Sequence, residues 1–161
     1  MYVPFEQLPP QARIWIYQSD REFTETEAAE IQDKIEKFVT EWSAHGQQLH
    51  ASGQLLHRRF VVLGTDVNVT APSGCSIDSS VKFLRILEMD YQTRLFDRTH
   101  LAFQKNGAIN IVHLTEMPAA VASGEITAET PYFDNLVAEA GGLKANWVKP
   151  AGKTWLQKYF S

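Results

Sequence analysis

The chain has 161 residues, 44% of them hydrophobic and 21% charged, with a formal net charge of -4 at pH 7. That length suits one domain, residues 1–161, with a core of useful size, and the near-average composition excludes a disordered or fibrous chain. The acidic balance gives no positive field for a polyanion, which excludes nucleic acid as the main partner, and Arg58 with Arg59 is too small a basic patch to reverse this.

The first twenty residues mix Pro4, Pro9, Pro10, Glu6, Arg13 and Asp20 with single apolar residues, so no signal-peptide core is expected. The longest aliphatic run, Phe60 to Leu63, is far below the roughly 20 residues needed to cross a bilayer, so no membrane partner is expected. One cysteine, Cys75, excludes an internal disulfide and a cysteine metal cluster. A reducing, cytoplasmic compartment is the expectation.

In chain order, Arg13 to Gln18 (RIWIYQ) reads as a strand from its β-branched and aromatic content. Thr24 and Glu27 have the spacing of a capping box, and Ala28, Ile31, Ile35, Phe38, Val39 and Trp42 follow as one apolar stripe, with Gly46 as the expected stop. Two extended segments follow, His50 to His57 and Arg59 to Leu63, reversing near Arg58. Gly64, Pro72 and Gly74 mark a loop, and Ser76 is the expected N-cap of a second helix built on Ile77, Val81, Leu84, Leu87 and Tyr91. His100 to Gln104 and Ala108 to Leu114 flank Asn106-Gly107, a strong hairpin signal because both residues tolerate positive φ. Helical pieces are expected around Glu116 to Ala122 and Asp134 to Ala140. The β-α-β-β-α-β-β order predicts an α+β fold with an antiparallel or mixed sheet, ferredoxin-like in part, followed by an irregular helical C-terminal segment.

The segment Ser73-Gly74-Cys75-Ser76-Ile77-Asp78 puts a lone thiol and several hydroxyls near a helix start. Exposed amides and the helix dipole favour an anion there, either the thiolate of Cys75 or a ligand held by Ser73, Gly74, Ser76 and Asp78. A nucleophilic Cys75 needs a histidine base, and His45, His50, His57, His100 and His113 are all candidates. The plain alternative is an inert cysteine beside capping serines. Val81 stands where a Cys-x5-Arg phosphatase loop needs arginine, and the scattered histidines give no zinc spacing, so no metal or cofactor is expected. Gly152-Lys153-Thr154 resembles the end of a Walker A motif, but Trp147 occupies the position of its first glycine. Ser52-Gly53-Gln54 has no such loop upstream to complete. Asp66, Asp78, Asp90, Asp97 and Asp134 offer carboxylates, and Asp97 with Arg98 suggests a buried ion pair. Trp147, Trp155, Tyr159 and Phe160 crowd the tail and belong either to the chain's own core or to an interface such as that of a homodimer.

VPFEQLPPQARIWIYQS at the N-terminus, the SGCSID segment, the Phe96-Asp97-Arg98 step and the Trp-containing tail together resemble a family of short, uncharacterised bacterial proteins, some of them labelled ABC transporter ATPases. The resemblance implies a free-standing bacterial cytosolic domain with Cys75 in its most distinctive motif, and the residues above do not support the ATPase label. The function expected from the sequence is a small binding or interaction module. A thiol-dependent hydrolase or transferase at Cys75, and an anion site at Ser73 to Ser76, are the alternatives.

Overall fold

The structure is a computed structural model that describes residues 1–161. The chain is α+β, with antiparallel sheets, and resolves into two compact units: residues 1–96 with 137–143, and residues 97–136 with 144–161. No helix is long and apolar enough to cross a membrane.

The first unit holds β1 (Arg13–Gln18), α1 (Glu25–Glu41), a small hairpin of β2 (Ser43–Ala44) and β3 (Gln47–Gln48), then β4 (Ala51–Leu56), β5 (Phe60–Thr65) and α2 (Gly74–Tyr91). Its sheet has the order β1-β5-β4, with Tyr17 opposite Val61 and Leu55 opposite Val61 on the other side. All six residues of β5 are buried, as its continuous apolar run requires of a central strand. The Thr24–Glu27 capping box forms, and Ile31, Ile35 and Val39 pack with Val61, Leu63, Leu84 and Leu87 into one core. Each such aliphatic side chain contributes on the order of 2 kcal/mol by burial. Gly53 lets α1 approach β4, since a Cβ there would collide with Ile35 and sit 3.1 Å from Leu63 Cδ2.

β1, α1, β4 and β5 give the first three strands of a ferredoxin-like sheet, but the next strand does not complete it. Residues 137–140 come back to β1 instead: Ile14 N donates to Ala138 O (2.9 Å) and Ala140 N to Ala12 O (2.9 Å), so that the backbones of Arg13 and Glu139 pair antiparallel. On the opposite edge, Val3 N donates to Ala51 O and Ala51 N to Met1 O. Further along β4, the Gln32 side chain receives the Leu55 amide (2.8 Å) and donates to Gly53 O (3.4 Å). Both edges are thereby blunted.

The second unit holds β6 (His100–Lys105), β7 (Ala108–His113), α3 (Met117–Ala122), β8 (Pro131–Phe133) and β9 (Val148–Pro150), in the sheet order β7-β6-β8-β9. Its core gathers Leu101, Phe103, Val112, Met117, Ile126, Tyr132 and Leu156. Asn106 and Gly107 make the expected hairpin turn with φ of 53° and 78°. α4 (Ala140–Asn146) replaces the helix expected at Asp134 to Ala140.

Two local expectations are corrected. α1 ends at Trp42 in extended conformation, and Gly46 (φ 76°) joins His45 (φ 52°) in the β2–β3 turn rather than stopping the helix. The N-cap of α2 is Ser73, with Ser76 serving as the third helical residue of a reciprocal capping box.

Candidate functional site

At the end of unit 1 where β1 finishes, β4 turns into β5 and α2 ends, several polar side chains are buried together: Gln18, Ser19, Arg59 and Thr93. Ser19 N donates to Arg59 O (2.7 Å), extending the β1–β5 ladder by one bond. Ser19 Oγ lies 2.6 Å from Thr93 Oγ1, and Thr93 Oγ1 donates to Asp20 Oδ1 (2.9 Å). The Thr93 proton therefore points at Asp20, which leaves Ser19 to donate to Thr93 while accepting from Arg21 N (3.2 Å). Arg21 grips Glu27 through both guanidinium nitrogens (2.9 and 2.7 Å) and donates to Tyr91 O (2.6 Å). The Arg21 guanidinium and the Thr24 amide hold the Glu27 carboxyl down at about 2.

The turn between β4 and β5 places His57 (φ 54°) and Arg58 (φ 52°) in succession in the left-handed region. For residues other than glycine this costs on the order of 1 kcal/mol each. Tertiary contacts offset it: Phe23 N donates to Arg58 O (2.8 Å), and the Arg58 side chain pairs with Glu22.

Arg58 is exposed, whereas Arg59, its neighbour, is 9% exposed. Arg59 has no carboxylate within ion-pair distance, and its one hydrogen bond runs from Nη1 to Ser19 O at a long 3.4 Å. A guanidinium carries five N–H donors, so four are unused. Burial lowers the Arg59 pKa from its ordinary value, against the opposing pull of Glu22 and Asp20. A buried cation left without a direct counter-ion is costly to the fold, and such positions concentrate at binding sites.

Cys75 lies at the other end of unit 1 as the second residue of α2, exposed and free. No histidine forms a hydrogen bond with its sulfur. Ser73 Oγ accepts from Ser76 N (3.1 Å) while Ser76 Oγ accepts from Ser73 N (2.7 Å), so both hydroxyls are committed to the cap. An anion here would meet the amides of Gly74 and Cys75, with Asp78 exposed on the following turn.

His100 and His113 sit directly opposite each other on β6 and β7, with ring centroids 5.2 Å apart. His100 Nδ1 is 3.2 Å from Asp97 Oδ2, and Asp97 Oδ1 accepts from Thr99 N (2.9 Å) and Thr99 Oγ1 (2.5 Å). The expected Asp97–Arg98 ion pair is corrected by this arrangement: Arg98 is exposed and makes no ion pair. Thr115 N donates to His113 Nδ1 (3.2 Å), which places the neutral ring's proton on Nε2. No group of three or more His, Cys, Asp or Glu side chains is placed to hold a metal ion. Asp66 accepts from Asn68 N, Asp90 pairs with Lys34 and Asp134 with Lys149, so these carboxylates are not paired with one another.

In the tail, Trp147 is 6% exposed, packs on Phe133 at 5.0 Å and donates Nε1 to Asn135 Oδ1 (3.0 Å). Tyr159 and Phe160 pack half-buried on the core of unit 2. Trp155 is 38% exposed and meets Tyr132 edge-on, whose hydroxyl is pushed up to about 12 by burial. Gly152 and Lys153 lie in a 3-10 turn, where Gly152 N donates to Ala128 O (2.8 Å) and Thr154 Oγ1 donates to Ala151 O (2.7 Å).

Of the candidate catalytic and ligand residues picked out in the sequence, only His57 lies at the Arg59 end, on the turn itself. Arg59 is visible in the sequence only as a cation abutting the apolar run Phe60 to Leu63, which places a charge at the mouth of a buried strand. Comparison of the chain with protein families, with curated proteins and with solved structures finds no significant match to any of them.

Proposed function

We propose that the protein is a small binding module that receives an anionic group at the Arg59 end of its first unit. One observation carries this reading: a guanidinium 9% exposed, bonded once and weakly, with no ion-pair partner. Strain in the adjoining His57–Arg58 turn supports it, because strained backbone persists where surrounding contacts impose it and is concentrated at ligand sites. ATP hydrolysis is not part of the reading. A phosphate-binding loop leads from a strand into a helix, whereas Gly152 and Lys153 lie in one 3-10 turn and Thr154 caps the next. A thiol-dependent reaction at Cys75 is the weaker reading, since no imidazole bonds to the sulfur to serve as its base.

The test is titration of the protein with simple anions at constant ionic strength, followed by amide NMR and calorimetry. Saturable shifts at Ser19 and residues 57–60 that vanish in a folded Arg59→Met variant are expected. Shifts confined to other regions, or unchanged in that variant, would refute the assignment.

A further inference from the structure

We infer that the group received by Arg59 is a carboxylate, docked side-on against the Nε–Nη2 edge of the guanidinium, and not a phosphate. This rests on the reading of Arg59 as the anion site and adds the chemical class. The first argument is the direction of the one existing bond. Nη1 faces Ser19 O, which leaves Nε and Nη2 as the adjacent parallel pair, a planar fork that takes two oxygens of an anion side-on.

The second argument is the surrounding charge. Arg21 is neutralised by Glu27 and Arg58 by Glu22, so neither strengthens the site. Asp20 engages Thr93 and the Arg94 amide through Oδ1, and both Asp20 and Glu22 act on Arg59 electrostatically. Arg94 is exposed nearby and forms no ion pair. A ligand thus meets one buried cation, with Asp20 as the acid beside it. A single negative charge is repelled less by Asp20, the one nearby acid outside an ion pair, than a phosphate carrying near two charges. The carboxylate can come from a small organic acid or from the C-terminus of a peptide.

The experiment titrates the full chain with acetate and with inorganic phosphate, and with a short peptide carrying either a free or an amidated C-terminus. Acetate is expected to bind at least about tenfold tighter than phosphate. Arg59→Lys, which keeps the charge and loses the fork, is expected to weaken acetate roughly tenfold or more. Asp20→Asn, which keeps the oxygen facing Thr93, is expected to narrow the gap between acetate and phosphate. Phosphate binding as tightly as acetate through Arg59 would overturn the carboxylate and leave the anion site standing. Anion binding that survives both Arg59→Lys and Arg59→Met unchanged would overturn both. A free peptide C-terminus that outbinds acetate, with no binding of the amide, assigns the source to a chain terminus. Equal affinity for peptide acid and acetate assigns it to a small acid.

Discussion

The Leu55 amide on the outer edge of β4 donates to the side-chain oxygen of Gln32 on α1, at 2.8 Å. The same Gln32 returns a bond to Gly53 O, so a helix side chain does the work of a neighbouring strand. Replacing Gln32 by Leu leaves a partly buried amide and carbonyl unmatched. A loss of about 1–3 kcal/mol in urea unfolding is expected, with a smaller loss for Gln32→Glu, which keeps the acceptor.

Gly53 is held by packing rather than by turn geometry, because its missing Cβ is the space that Ile35 occupies. Gly53→Ala is expected to cost about 1–3 kcal/mol through overpacking. Combining it with Ile35→Ala, which removes the Cγ2 that the new Cβ would strike, is expected to cost less than the sum of the two single changes; strict additivity in the double mutant would contradict the contact.

Arg59→Met separates binding from stability. Removing a buried charge that lacks a direct counter-ion is expected to leave the melting temperature unchanged or raise it. A fall of several degrees would mean that the guanidinium is a structural strut.

Acid sensitivity is expected from Glu27, whose carboxyl is held at about 2 against an ordinary 4.5, first by the Arg21 guanidinium and next by the Thr24 backbone. A folded-state pKa below the unfolded one gives stability that is complete above pH 4.5 and lost as pH falls from there towards 2. Glu27→Gln is expected to flatten that limb of the stability profile and to leave the neutral region's slope unchanged.

Cys75 is exposed, so a thiol reagent is expected to modify it stoichiometrically in the folded protein, without change in circular dichroism. Anion binding at the opposite end of unit 1 is expected to be the same before and after modification. Loss of binding would tie the two ends together and argue against an independent Arg59 site.

Elements whose signals are local were legible in the sequence. Thr24 with Glu27, the apolar stripe of α1 and the Asn106-Gly107 turn each act within a few residues, and each forms as read. Ser73 and Ser76 both satisfy the N-cap preference, and only the reciprocal bonds between them decide that the helix starts three residues earlier. β8 and β9 are three residues each, and pairing across a long stretch of chain leaves no periodic trace in so short a segment. The His57–Arg58 turn lacks the glycine or asparagine that marks such a turn, because Phe23 and Glu22 impose it from a distance. Arg59 was hidden for the same reason: beside Arg58 it reads as half of a surface patch, and the ladder register alone sends one arginine outward and the other in.

Residues 137–140 seal β1 only after the chain has passed through most of unit 2. During synthesis the first ninety-six residues emerge with that flank of the sheet bare, and the ribosome must deliver some forty more before it closes. A nascent or truncated product ending near Phe96 would carry an adhesive border, so premature termination between these points should yield inclusion bodies rather than a smaller working protein.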